Sequence, residues 1–94
     1  MSVQATAWAW EQEVSQNVKL LLLFLAESAD RYGRGPMEAI EDAPNACGFD
    51  SQTLTKHLQT LEETGLLEVA PGEGYTLPKV PFPKRGGYRW ERPR

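Results

Sequence analysis

Residues 48–67, GFDSQTLTKHLQTLEETGLL, predict one helix together with the residues that start and end it. Asp50 is a typical N-cap residue, whose side chain accepts a hydrogen bond from a free backbone N–H of the first turn. Gly65 can take the left-handed conformation that commonly ends a helix. Three leucines recur at spacings of four and three and therefore form one buried stripe: Leu54, Leu58 and Leu61. The pattern predicts a helix over 51–64 with one packed face.

The other face of this helix is polar and is predicted to face solvent. Its candidate binding residues are Ser51, Gln52, Thr53, Thr55, Lys56 and Gln59. Polar residues are expected on the exposed side of any soluble helix, so the face alone does not indicate a function. Glutamine can nevertheless form two hydrogen bonds with adenine and lysine can donate to guanine, so these residue types are suited to reading base edges.

The sequence after Gly65 predicts a small β structure. Leu66 to Ala70 reads as a strand, and the following residues up to 87 are rich in proline and glycine. One interpretation is a long wing, stiffened by proline, that closes with a second strand at Tyr88 to Trp90 and includes a partial strand at 75–77. The other is a tight hairpin at Pro71 to Gly74 followed by a loose basic tail.

Two further helices are predicted upstream. Ser15 can cap a helix from about Gln16 to Asp30 that is apolar on nearly all sides. A glycine-containing loop, Arg31 to Gly35, then leads to a second helix over 37–43. Pro44 lacks a backbone N–H, so the residues after it form either a kinked continuation or a fresh helical turn.

Residues 1–15 are predicted to form an extended N-terminal arm. Small residues alternate there with larger ones at a two-residue period, which would place Trp8 and Trp10 on one side. The helix over 16–30 has more apolar residues than one buried stripe needs. Leu20, Leu23 and Phe24 are left over, and either the arm, through Trp8 and Trp10, which we favour, or a second copy of the chain would cover them.

Charge is unevenly distributed along the 94 residues, whose net charge is −3. Residues 1–78 contain four basic and twelve acidic residues, whereas residues 79–94 contain six basic residues and one acidic residue. Attraction to phosphate is therefore concentrated near the C-terminus. The candidate phosphate contacts are Lys79, Lys84, Arg85, Arg89 and Arg92.

Several functional classes are not supported by the composition. Cys47 and His57 are the only cysteine and the only histidine, so neither a disulfide nor a cysteine-cluster metal site is expected. No nucleophile stands beside a recognisable base, and we expect neither an enzyme nor a cofactor. The longest apolar run, 20–26, is far shorter than the roughly 20 residues of a membrane helix, and a cytoplasmic location with no membrane partner is expected.

The residues considered above, taken together, resemble a known family. The matching segments are Met1-Ser2-Val3 with Trp8-Ala9-Trp10, Lys19-Leu20-Leu21-Leu22-Leu23, Gly48-Phe49-Asp50, and Leu58 through Leu67. Through these segments the chain resembles the winged helix-turn-helix domains of bacteriophage regulatory and replication-initiation proteins. The resemblance implies a mainly α fold with a small β-hairpin (α+β), made of three helices and a two- to three-stranded wing over residues 16–94.

The resemblance also implies a function. Double-stranded DNA would be the partner, with the helix over 51–64 in the major groove and the wing or basic C-terminal segment on the backbone. Such a protein would regulate transcription or replication and could act as a homodimer. The acidic body supports a rival hypothesis, in which the chain docks a basic host protein, as small phage-encoded inhibitors and antirepressors do.

Overall fold

The computed structural model describes residues 3–81 and shows a small α+β domain. Within this range there are four helices and three short strands: α1 Val3–Trp10, α2 Gln16–Ser28, β1 Arg34–Pro36, α3 Met37–Cys47, α4 Ser51–Glu63, β2 Glu68–Ala70 and β3 Gly74–Thr76. The coarse prediction, mainly α with a small β structure, is confirmed. The strand predicted at Tyr88 to Trp90 lies outside the described residues.

Helix α4 forms where the sequence predicts it, and both of its ends are closed by hydrogen bonds. Asp50 Oδ1 accepts from Thr53 N at 2.8 Å. At the other end Gly65 is left-handed, with φ of 79°. Its N–H donates to Glu62 O at 3.1 Å, and Leu66 N donates to Leu61 O at 3.0 Å. These two bonds make a Schellman motif, which satisfies carbonyls that a helix end would otherwise leave unpaired.

The three strands form one antiparallel sheet in the order β1-β3-β2. Strands β2 and β3 make a tight hairpin through the turn at residues 71–73, with Val69 opposite Tyr75. This hairpin agrees with both interpretations of the segment, and the strand predicted at 75–77 is observed one residue earlier, at Gly74–Thr76; the residues that distinguish a long wing from a loose tail lie outside those described. The loop predicted at 31–35 is wrong in its second half, because β1 begins at Arg34 and pairs with Thr76.

Tyr75 ties the sheet to α2. Its hydroxyl donates to Leu25 O at 2.6 Å in a buried contact. Ala29 N, the donor that a longer helix would direct to Leu25 O, instead donates to Ala26 O, so Tyr75 satisfies a carbonyl of the last turn. The phenol ring passes so close to Gly35 that a β-carbon there would overlap it. The absence of a side chain at Gly35 is what allows this contact.

The predicted extended arm is wrong, because residues 3–10 form the helix α1. Alanine has the highest helix propensity, and at positions 5, 7 and 9 it fits a helix as well as an alternating strand pattern. Ala5, Trp8 and Ala9 are buried at a spacing of three and four and pack toward the core. Trp8 and Trp10 consequently point to different sides, since two residues on a helix are separated by about 200°.

Helix α3 is longer than predicted and runs through Pro44 to Cys47. Proline has no backbone N–H, so Ile40 O loses the hydrogen bond that residue 44 would otherwise donate to it. Pro44 O accepts from both Gly48 N at 2.9 Å and Phe49 N at 3.0 Å, which fixes the turn into α4. Of the two alternatives at Pro44, the continuous helix is the one observed.

Leucines from α2 and α4 and from the two residues that flank the hairpin contribute the largest buried side chains of the core. The largest fully buried side chains are Leu21, Leu22, Leu25, Leu61, Leu67 and Leu77. Leu54 is buried and Leu58 is partly buried, so the predicted stripe of α4 does face inward. No helix within residues 3–81 has both the length and the apolarity needed to cross a membrane.

Candidate nucleic-acid interface

The outer face of α4 carries the polar residues singled out from the sequence. Ser51, Gln52, Thr55, Lys56 and Gln59 are exposed. Thr53 is half-buried, and its backbone N–H donates to the Asp50 cap. Five of the six line one surface depression: Gln52, Thr53, Thr55, Lys56 and Gln59. The structure therefore brings these predicted residues together on one solvent-facing surface.

Acidic residues lie at the two ends of α4 and not between them. From residue 51 to residue 61 the helix contains Lys56 and no acid. Asp50 stands at the N-cap, where the Thr53 backbone N–H lowers the pKa of its carboxyl, so the cap is charged near neutral pH. Gln59 Nε2 donates to Glu63 Oε2 at 3.4 Å in the last turn. The middle of the face is thus the region best suited to approach an anion.

Aromatic contact holds the turn before α4 against the helix. The Phe49 ring meets the His57 ring edge-on, with centroids 5.3 Å apart and an angle of 74° between planes. Edge-to-face packing of this kind stabilises a fixed ring geometry. His57 therefore has a packing role that connects the turn at residues 48–50 to the second turn of α4.

The β2–β3 hairpin is not basic. Residues 68–76 contain two acids, Glu68 and Glu73, and no cationic side chain. Lys79 lies beyond the hairpin and next to the end of α4, where a β-carbon on Gly65 would be 3.4 Å from Lys79 Nζ. Nine residues separate Gly65 from Lys56, which corresponds to roughly 13 Å along a helix axis. Lys79 is therefore displaced from the polar middle of α4.

The other predicted phosphate contacts lie outside the described residues: Lys84, Arg85, Arg89 and Arg92. Their position relative to α4 stays a prediction from the sequence.

Comparisons with protein families, curated proteins and solved structures returned no match.

One cationic cluster was missed by reasoning from the sequence. Arg31 and Arg34 place their guanidinium carbons 5.7 Å and 5.6 Å from the centroid of the Tyr32 ring. Asp30 Oδ1 accepts from Tyr32 N at 2.8 Å and from Arg34 N at 3.0 Å, which shapes the loop. Aspartate side chains commonly accept hydrogen bonds from backbone N–H groups a few residues later, so Asp30 was a sequence signal for an ordered turn.

The predicted dimer or arm-packing surface is only partly assembled as expected. Trp10, Leu20, Leu23 and Phe24 line one groove between α1, α2 and the end of α3, together with Glu27 and Cys47. Burial raises the pKa of the Cys47 thiol. Trp8 is buried in the core and does not belong to this surface. Within residues 3–81 no three side chains of the metal-binding types converge on one point.

Proposed function

We propose that this chain binds double-stranded DNA as a winged helix-turn-helix protein and regulates transcription or replication of the bacteriophage type. The proposal carries over the fold, function and origin implied by the resemblance, and it places the chain in the cytoplasm of the host cell. Support comes first from the order of elements. Helices α3 and α4 are joined by three residues, and a β-hairpin follows α4 directly, as the winged arrangement requires.

The observation that carries the proposal is the composition and exposure of the α4 outer face. Its exposed residues are polar, and residues 51–61 of α4 contain no acid, in a chain with thirteen acidic residues. A recognition helix docks through the side chains near its N-terminus, which reach base edges in the major groove. Gln52 and Lys56 occupy this part of α4 one turn apart and are exposed.

In this mechanism Gln52 would pair with adenine through its amide, and Lys56 would donate to guanine. Ser51 and Thr55 can contribute single hydrogen bonds to base edges or phosphates. The basic C-terminal residues 84–92 would contact the backbone. The acidic hairpin is expected to stay away from the phosphates, so these C-terminal residues, and not the wing, would supply most of the electrostatic attraction.

Selection from a random duplex pool at low salt tests the proposal. We expect one sequence to be enriched, and Gln52→Ala to lose about 1–3 kcal/mol of discrimination at one base position. Lys56→Ala should have a similar effect at a neighbouring position. Gln4→Ala, which removes an exposed glutamine from α1, is the matched control and should leave the selected sequence unchanged. Failure of every duplex to be enriched would contradict the DNA proposal.

One observation favours a second candidate, a protein-directed inhibitor or adaptor. The hairpin carries Glu68 and Glu73, both exposed, and residues 3–81 contain twelve acids against five cations. Such a surface is complementary to a basic protein of the host. A chain that enriches no duplex but binds a basic protein partner through the hairpin, with loss of binding in Glu73→Lys, would establish this second function.

A further inference from the structure

The loop between α2 and β1 has no role in the DNA proposal, yet it presents an exposed aromatic ring with two cations. We define the Tyr32 loop as residues 30–34. Tyr32 is 51% exposed, and Arg31 and Arg34, which are also exposed, hold their guanidinium carbons 5.7 Å and 5.6 Å from the centroid of its ring. Two of the five cations within residues 3–81 therefore stand at one tyrosine, in a region that contains twelve acids.

Hydrogen bonds fix the backbone of this loop. Asp30 Oδ1 accepts from Tyr32 N at 2.8 Å and from Arg34 N at 3.0 Å, and Asp30 N donates to Arg34 O at 2.9 Å. Gly33 N donates to Asp30 O at 3.0 Å, and Gly33 O accepts from Leu77 N at 2.8 Å. The loop is thus formed before a partner arrives, which lowers the cost of ordering it on binding.

Neither guanidinium forms an ion pair with an acid in the described part of the chain. The carboxylate of Asp30 is next to them in sequence, but its Oδ1 accepts from the backbone of the loop. A guanidinium carries five N–H donors in a planar fork that matches the geometry of a carboxylate, and contact with a ring does not use these donors. The loop therefore presents two unpaired forks, which are suited to an anionic partner.

We propose that the Tyr32 loop binds an acidic segment of a partner protein. The two guanidinium groups bind neighbouring carboxylates of that segment, and the exposed part of the Tyr32 ring packs against the chain between them. Tyrosine and arginine are among the side chains that most often contribute large binding energies at protein interfaces. The depression on α4 is lined by other residues, so this partner and DNA would occupy different surfaces.

Charge and the use of the ring favour a peptide over a nucleic acid. Duplex DNA carries one charge per roughly 1.7 Å of its axis, so beyond the two arginines it would continue against a region in which acids outnumber cations. A peptide can place a few carboxylates at the loop and continue with neutral residues. A base of a single strand would need the Tyr32 ring for stacking, and both arginines already contact that ring.

Fluorescence anisotropy with a labelled peptide of alternating glutamate and glycine tests the proposal on the full chain. Arg31→Gln with Arg34→Gln should weaken binding at least about tenfold, because each substitution removes a hydrogen bond between charged groups. Lys84→Gln with Arg85→Gln removes the same charge from the basic C-terminal segment and should leave peptide binding unchanged. Absence of peptide binding, or a loss in the C-terminal variant but not in the loop variant, would overturn the proposal.

A labelled single strand and a labelled duplex of DNA provide the comparison with nucleic acid. The loop variant should bind both as the original chain does. An equal loss of oligonucleotide and peptide binding would make the loop a phosphate site and would overturn the proposal. The peptide result does not depend on whether the chain reads DNA through α4, so the two proposals can fail separately.

Two substitutions at Asp30 separate the shape of the loop from its charge. Asp30→Asn removes an acid beside the arginines but keeps an oxygen that can accept from Tyr32 N and Arg34 N, so it should bind the peptide at least as tightly as the original chain. Asp30→Ala removes the same charge and both hydrogen bonds, and it should bind more weakly than Asp30→Asn. Urea denaturation checks that both variants are folded. Equal affinities would show that charge alone attracts the peptide and would overturn recognition by the fixed loop.

Discussion

At Tyr75 a single hydroxyl determines how the sheet meets the helices. The phenol ring lies against Gly35 and its hydroxyl donates to Leu25 O of α2, whose expected helical donor, Ala29 N, bonds to Ala26 O instead. Burial raises the pKa of Tyr75 well above its ordinary value, so the phenol remains protonated and able to donate at physiological pH. The contact joins residues 50 positions apart, which explains why local sequence patterns do not reveal it.

Tyr75→Phe should lower the free energy of unfolding by about 1–2 kcal/mol, because it leaves Leu25 O buried without its donor. Urea denaturation measures this change. Tyr32→Phe is the matched control, since Tyr32 is 51% exposed, and its effect should stay below about 0.5 kcal/mol. Equal effects of the two substitutions would show that the hydrogen bond from Tyr75 does not contribute.

Helix α4 has strong end signals for a helix of thirteen residues. Its aspartate cap and its glycine stop satisfy backbone groups at opposite ends, and Leu66 packs on the core directly after the stop. These signals are local in sequence, which is why the helix could be predicted to within one residue. The end signals also fix the residue at which the polar face begins. The buried leucines set the rotation of the helix, and hence which side faces solvent.

Asp50→Asn should make the free energy of unfolding less dependent on pH in the acid range. The pKa of Asp50 is lowered in the folded state, so its stabilising effect is present above the unfolded pKa of about 3.9 and is lost as pH falls through the folded value. Asparagine accepts the Thr53 N–H without titrating. Urea titrations between neutral pH and acid should therefore show a smaller loss of stability in the variant.

Asp42→Asn removes the same charge from an exposed position in α3 and serves as the control. If it changed the acid dependence as much as Asp50→Asn, the capping interaction would not be the cause.

The whole molecule separates its charges along the chain. Residues 3–81 hold almost all of the acids, and the basic residues that would attract phosphate are concentrated after residue 78. For the DNA proposal, this distribution means that the α4 face confers specificity while affinity comes from another segment.

Lys84→Ala together with Arg85→Ala should weaken DNA binding for all sequences. The dependence of the logarithm of the binding constant on the logarithm of salt concentration should flatten by about 0.9 per lost phosphate contact. Binding titrations over a series of salt concentrations measure the slope. Arg31→Ala with Arg34→Ala removes the same charge from the loop around Tyr32 and should leave the slope unchanged. Equal slopes for both double variants would argue against a specific role of the C-terminal segment.

Patterns contained within one helix or turn were readable from the sequence. The start of α2, the capped ends of α4, its buried leucines and its polar face all depend on residues within a few positions of one another. The helix α1 was missed because alternating alanines satisfy two periodicities. Its true face is decided by packing against α2, where Ala5, Trp8 and Ala9 become buried.

Long-range pairing was decided only by the tertiary structure. Strand β1 is three residues long, too short to show a hydrophobic periodicity that would predict a strand. It forms because Arg34 to Pro36 can pair with β3, some forty residues later. The same holds for the groove lined by Trp10, Leu20, Phe24 and Cys47, whose members come from three helices, and for the cluster around Tyr32. Local hydrogen bonding and hydrophobic period are properties of the sequence itself, whereas strand pairing and surface complementarity arise only when distant segments fold together.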